Sequence, residues 1–132
     1  MFAFITIGTN DLKQSSIFYD KILSPLDIIK VDVAERYIGY AKKDNFELIK
    51  KGKYELIEFY LMTPFNQQKA TSGNGTMIVF NANSQKIVDQ FHQIALSNSG
   101  TNEGLPGPRH GQHYYAYVRD LDGNKICAFA SD

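Results

Sequence analysis

One cysteine, no tryptophan, four prolines and no net charge leave this 132-residue chain without several devices that commonly announce a function. A single cysteine cannot form an internal disulfide, so nothing in the cysteine usage calls for an oxidising compartment, and the expected location is the cytoplasm. Fourteen Lys and Arg against fourteen Asp and Glu leave no field to draw a phosphate backbone or an anionic lipid surface, which argues against nucleic acid and membrane as partners. No apolar run approaches the ~18 residues of a membrane span. The opening Met1-Phe-Ala-Phe-Ile-Thr-Ile7 lacks the basic lead-in of a signal peptide, so the chain reads as soluble and uncleaved.

What is present is an ordinary globular balance, 43% apolar and 21% charged, in a length that suits one domain over residues 1–132 and buries about two-thirds of the unfolded surface. Two segments read as amphipathic helices, each entered through a polar pair, Asn10-Asp11 and Asn83-Ser84. After Ser84, the residues Ile87, Val88, Phe91, Ala95 and Asn98 share one helical face, and Gly100 is placed to end the helix. After Asp11, the stripe is Leu12, Ser15, Ser16, Phe18, Tyr19, Ile22 and Leu23, closed by Pro25. The two serines require either tight packing or a weaker face.

The two helical regions sit at a constant offset. Phe4, Asn10, Asp11 and Phe18 correspond to Met77, Asn83, Ser84 and Phe91, each 73 residues later, so the chain reads as a duplication. The predicted elements are 2–8, 11–23, 27–33, 36–42 and 54–62 in module one (about 1–63), and 76–82, 84–98, 101–103, 113–119 and 124–130 in module two (about 75–132). The polar stretch 66–75 links them. The fold class is therefore α+β: two βαβββ modules forming curved, mainly antiparallel sheets around a cavity. Alternation turns Ile5, Ile7, Ile78 and Phe80 toward the helices, and Phe4, Thr6, Met77, Val79 and Cys127 toward the cavity.

Three stretches carry a resemblance: Phe4-Ile-Thr-Ile-Gly-Thr-Asn-Asp-Leu12, Leu105-Pro-Gly-Pro-Arg109, and Tyr114-Tyr-Ala-Tyr-Val-Arg-Asp-Leu-Asp-Gly-Asn-Lys-Ile126. With Phe18-Tyr19 and the glycine-rich entry Gly73-Asn-Gly-Thr76, the chain resembles the vicinal-oxygen-chelate superfamily, which holds glyoxalase I, bleomycin-resistance proteins and extradiol dioxygenases. The likeness is greatest to small, single-chain glyoxalase/bleomycin-resistance-like proteins. In its metal-binding branches the family pattern has a His where this chain has Phe4, a His at Thr76 or Met77, and a Glu at Cys127. Phenyl and thioether groups do not replace imidazole or carboxylate on a Lewis-acidic metal, so no metal or other cofactor is expected at the inherited site. Glu58 is the one nearby carboxylate and cannot hold an ion alone.

Other motifs carry less. His110 and His113 lie in and after a Gly-flanked loop with no Asp, Glu or Cys within five residues, which favours loop-anchoring or surface roles over a metal pair. His92 is expected to face solvent. Asp120-Leu-Asp-Gly-Asn124 lacks the Glu of a calcium loop, Ser131 standing at position twelve, and reads as a hairpin turn with Gly123 at positive φ. Cys127 lies in the apolar run Lys125-Ile-Cys-Ala-Phe129, where a buried structural or pocket-wall role outweighs nucleophilic chemistry. Arg109, in a Gly/Pro-shaped loop, either clamps a carboxylate or phosphate or pairs and solvates at the surface.

These readings lead to a protein that binds a small, largely apolar and possibly anionic molecule. Phe4, Tyr60, Met77, Tyr115 and Cys127 form the proposed wall, and Arg109 the anion anchor. The alternative is a superfamily enzyme, a lyase, isomerase or dioxygenase, using a divalent metal in an atypical site. The partner expectations are a small-molecule ligand and a second copy in a homodimer, since small sheets with open edges are commonly completed by symmetry and members of the resembled family often pair.

Overall fold

The computed structural model describes residues 1–131. Strand β1 (Ile5–Gly8) leads into helix α1 (Leu12–Leu23), followed by β2 (Ile28–Val33), β3 (Tyr37–Lys42), the short helix α2 (Phe46–Lys50) and β4 (Phe59–Met62). The second half runs β5 (Ile78–Asn81), α3 (Gln85–Ser97), β6 (Thr101–Pro108), β7 (Tyr114–Arg119) and β8 (Lys125–Ala130). Two four-stranded sheets result, ordered β1-β4-β3-β2 and β5-β8-β7-β6. The β1–β4 and β5–β8 pairs are parallel and the remaining pairs antiparallel. We call them sheet one and sheet two; each is α+β, with one long helix on one face.

The helix starts follow their caps. Asp11 accepts from Gln14 N at 3.0 Å and Ser84 from Ile87 N at 3.3 Å. Ser15 and Ser16 are buried, and Tyr40 reaches over this small stretch to donate its hydroxyl to Ser16 O and Asp20 Oδ1. The serines thus allow a tyrosine to pack between α1 and sheet one. Ile7, Phe59, Leu61, Phe80, Ile126 and Ala128 belong to one apolar cluster with Phe18, Tyr19, Val88 and Phe91, so both sheets and both long helices share a core.

Four expectations change. The strand anticipated over 54–62 is confined to Phe59–Met62, and much of 43–57 is helix α2 flanked by single 3-10 turns. The cause is a second apolar cluster: Ile49 and Ile57 pack on Ala41, with Val31, Leu56 and Tyr60 around them, covering part of the helix-free face of sheet one. Strand β6 extends through Leu105-Pro-Gly-Pro108, expected to be loop, because two register shifts let it follow β7 despite prolines that donate no hydrogen bond. His92 does not face solvent: it is 5% exposed, with Nε2 2.9 Å from Asn102 Oδ1, which also accepts from Gly104 N at the bulge. Finally, the two sheets do not close around a cavity within one chain. Each keeps a helix-free face open, because the modules join through α1, α3 and the shared core rather than face to face.

The β7–β8 hairpin does more than turn the chain. Gly123 has φ 86°, as expected, but Asp120 is 5% exposed and receives four hydrogen bonds. Its Oδ1 accepts from Asp122 N and Asn124 N, and its Oδ2 from Asn124 Nδ2 and the Tyr19 hydroxyl, the last at 2.6 Å. Asn124 Nδ2 also donates to Gly8 O, and Asn10 N donates to Asp122 Oδ1. The hairpin of one module is thereby fastened to the β1–α1 junction of the other.

Burial first, and Asp120 second, hold the Tyr19 hydroxyl well above its usual pKa of 10.0. A raised folded value contributes stability that is whole below about pH 10 and is lost as pH climbs through the folded value. Tyr19→Phe is expected to lower the unfolding free energy by about 1.5–3 kcal/mol at pH 7, since a charge-assisted bond to a buried carboxylate disappears. It should also flatten the decline of stability above about pH 10 relative to the unmodified chain. Urea titrations at pH 7 and across the alkaline range measure both, and equal curves for the two proteins would remove the lock from the account of stability.

Candidate functional site

The open face of sheet one carries an aromatic edge-to-face chain. Phe4 meets Tyr60 at 5.4 Å between ring centroids, and Tyr60 meets Tyr37 at 5.5 Å. Gly39 makes room for this: a Cβ there would fall 2.9 Å from Ile57 Cγ2 and 3.0 Å from Tyr60 Cε1. Burial, then the nearby Asp32, raise the Tyr60 pKa, so the phenol stays protonated at neutral pH. Phe4 remains 56% exposed.

The open face of sheet two is richer. Tyr115 and Tyr117 stack with centroids 5.9 Å apart and planes at 2°, and Phe129 lies 5.1 Å from Tyr115. Two cations flank Tyr117, with the Arg109 guanidinium carbon 5.2 Å and Lys125 Nζ 5.3 Å from its ring centre. Gly104 admits the edge strand, since a Cβ there would meet Tyr117 Cδ2 at 2.7 Å. Met77 and Val79, 39% and 44% exposed, extend the face across β5. The histidines sit at its margin: His110 against Tyr115, and His113 against Phe129 with Nδ1 3.2 Å from Ser131 O.

Arg109 is held in place by backbone carbonyls. Its Nη1 donates to Gly107 O and Tyr115 O, and its Nη2 to Leu105 O at 2.8 Å. The guanidinium therefore staples the bulged edge while keeping its charge over Tyr117. A second arginine, Arg119, is committed to Glu103 at 2.8 Å.

Of the six residues proposed from sequence, Phe4 and Tyr60 meet on sheet one, while Met77, Arg109, Tyr115 and Cys127 belong to sheet two. A single chain does not bring the two groups together. A cavity of about 190 Å³ at the module seam is lined instead by residues such as Ile5, Phe59, Ile78 and Phe80. Sequence reasoning left out Tyr37, Tyr117, Phe129 and Lys125. Alternation from Tyr115 would have found Tyr117, while Phe129 and Lys125 required the β7–β8 register. Tyr114 points the other way and donates to Asp89 of α3.

The positions that the resemblance gives to metal ligands hold Phe4, Thr76 or Met77, and Cys127. Among the described residues, no three His, Cys, Asp or Glu side chains gather where an ion could sit. Phenyl, thioether and protonated thiol groups are poor donors to a Lewis-acidic metal. Burial pushes the Cys127 thiol up to about 11, against weaker opposing pulls from the Ala116 backbone, Arg109 and Lys125. Cys127 Sγ donates to Ala128 O, and the residue has no exposed surface. Cys127 is expected to resist iodoacetamide at pH 7.5 in the folded protein and to react once unfolded in urea, as read by intact mass. Rapid labelling of folded protein would contradict its placement.

No protein-family model matches the chain, and no curated protein matches it. Solved structures do. The chain is similar to fosfomycin resistance protein FosX from Listeria monocytogenes (15% identity, 98% of this chain and 91% of that one, TM-score 0.66). It is also similar to lactoylglutathione lyase from Agrobacterium tumefaciens (14% identity, 96% and 90%, TM-score 0.62). At those identities the likeness is one of fold. A glyoxalase/bleomycin resistance protein from Albidiferax ferrireducens T118 is nearer, with 37% identity, 100% of this chain and 99% of that one covered, and a TM-score of 0.86. That full-length identity, on two βαβββ modules with this topology, makes the chain a member of the glyoxalase/bleomycin resistance protein family within the vicinal-oxygen-chelate superfamily.

Proposed function

We propose that the protein binds a small, largely apolar molecule with one anionic group, without a metal, in a site that two copies of the chain complete. The observation that carries this reading is the pair of open aromatic faces, Phe4–Tyr60–Tyr37 on sheet one, partly covered by α2, and Tyr115–Tyr117–Phe129 on sheet two, both on the side away from the long helices α1 and α3. Exposed aromatic surface of this kind marks a binding face. The faces also differ in charge: Asp32 lies near Tyr60 on the first, while Arg109 and Lys125 flank Tyr117 on the second. A two-fold dimer lays sheet one of each copy against sheet two of the other, giving two equivalent clefts. The reading keeps the protein in the cytoplasm, which agrees with its single thiol; among the described residues, no helix is long and apolar enough to cross a membrane.

Within such a cleft the stacked tyrosines offer flat apolar area and the two cations fix the anionic end. The ligand class is a small aromatic or aliphatic carboxylic acid. Arg109→Ala is expected to weaken binding of such an acid by roughly 1.5–3 kcal/mol, and Arg109→Lys to recover part of that loss because the planar fork is gone. Met77→Trp, at an exposed position, should block the cleft while the protein stays folded. Calorimetric titration with a panel of aromatic and aliphatic carboxylic acids decides the matter, and affinities unchanged in both Arg109→Ala and Met77→Trp would place the site elsewhere. Elemental analysis of protein purified without nickel resin belongs to the same experiment. A stoichiometric ion in it would favour the metal-dependent enzyme reading.

The dimer is checked separately. Sedimentation equilibrium is expected to give twice the 14.9 kDa chain mass at micromolar concentrations. A monomer throughout that range and well above it would leave each aromatic face without its partner and remove the composite cleft.

A further inference from the structure

Away from both aromatic faces, the β2–β3 turn and the segment after β4 form an open groove of about 580 Å³, whose lining includes Thr9, Arg36, Thr63, Gln67, Gln68 and Lys69. Arg36 is fixed there twice over. Its backbone carbonyl accepts from Thr63 N at 2.9 Å, and its Nη2 donates back to Thr63 O at 3.0 Å. Yet Arg36 Nε is buried with no acceptor, the one side-chain nitrogen or oxygen in that condition among the described residues. A desolvated donor on a permanently charged group is unfavourable until an acceptor arrives, and such orphans call for a missing partner.

We propose that this groove binds a small oxoanion, a carboxylate or a phosphate, with one oxygen on Arg36 Nε and a second toward Lys69. The walls support it. Gln67 holds a left-handed φ of 61°, unusual for a residue with a side chain, in the turn closed by Gln67 N donating to Pro64 O. Just beyond, the segment is pinned to the start of α1 by Asn10, which bonds both the carbonyl and the amide of Ala70. These bonds hold the floor of the groove. Beside it Phe65 sets its ring centre 5.3 Å from the guanidinium carbon and is 86% exposed, so it has little packing to lose if an anion displaces it. Glu35 is the single carboxylate of the lining and is outnumbered by Arg36 and Lys69, which leaves the groove net positive. An arginine suits the task because its charge is permanent and Nε–H remains a free, charge-assisted donor while Nη2 is held by Thr63 O.

The test is a titration of ¹⁵N-labelled protein with sodium phosphate and, separately, sodium acetate at constant ionic strength, following the Arg36 Nε–Hε cross-peak. The expected result is a saturable downfield shift of that peak together with the amides of Gln68 and Lys69. Lys69→Ala, a surface change, is expected to keep the native spectrum elsewhere and to weaken binding about 2- to 5-fold, the worth of one exposed charge contact. Arg36→Lys should abolish saturation at Gln68 and Lys69. Should that variant lose its native spectrum, the Lys69→Ala comparison carries the decision. Saturation by phosphate alone assigns a phosphate-bearing ligand, and saturation by acetate alone a carboxylate. Shifts that do not saturate, or that are the same in Arg36→Lys, mean an adventitious ion only, and a motionless Nε–Hε peak means that water satisfies the donor. Either result overturns the proposal.

Discussion

The buried carboxylate of Asp120 is the constraint on which the arrangement of the two modules rests. Removing a charge from water is costly, and burial alone raises the pKa of Asp120. What makes the site tolerable is a full set of donors, two from the backbone of its own turn, one from Asn124, and one from Tyr19 in the other module. Three of these donors are local and would form in any hairpin of this sequence. The fourth comes from a residue 101 positions away and is available only when α1 lies against the hairpin. The turn therefore carries information about its partner, as a buried polar network does when every member is satisfied.

With the modules fixed through that hairpin and the shared core, duplication no longer implies equality. Between β7 and β8 the chain turns in five residues, 120–124, whereas between β3 and β4 it spends 43–58 and builds α2. That longer excursion packs Ile49 and Ile57 onto Ala41 and so covers part of one open face, while the other face keeps its stacked tyrosines and both cations. The second sheet thus keeps the larger open aromatic surface, flanked by two cations, and the first a narrower one with Asp32 near Tyr60. In the proposed two-copy cleft this difference in charge would orient a ligand that has one apolar and one anionic end.

The parts of this fold that were legible in the sequence are those governed by a single local period. Both long helices follow from caps and a 3.6-residue stripe, and alternation correctly turned Ile7, Ile78 and Phe80 toward the helices, while Phe4 and Met77, expected to line an enclosed cavity, lie on open faces instead. The family was legible too, from the Gly/Pro segment and the hairpin. What escaped was set by partners distant in sequence. The apolar residues of 43–57 show no sustained period because they fit an irregular patch beside Ala41, and β6 looks like a loop because its two bulges break the alternation. His92 is the exception, since it shares the buried face of α3 with Val88, Phe91 and Ala95 and the helical period already pointed it inward; what the sequence did not show is its partner, Asn102 at the bulge.

Arg109 shows how one residue can belong to both the structural and the chemical reading without conflict. Edge strand β6 has prolines that cannot donate, glycines that barely resist bending and two register shifts that leave carbonyls short of partners on β7. The guanidinium supplies donors to three of the carbonyls there, on Leu105, Gly107 and Tyr115, so its neighbours define its position closely. Hydrogen bonding to neutral carbonyls does not remove the positive charge; it holds that charge over the Tyr117 ring, which in the proposed site would spare side-chain freedom on binding an anion. A lysine could carry the same charge but could not reach three divergent carbonyls in one plane, so the edge and the binding face would both loosen. The sequence left Arg109 between clamping an anion and pairing or solvating at the surface, and the structure adds a role outside both, three bonds to backbone carbonyls at the bulged edge.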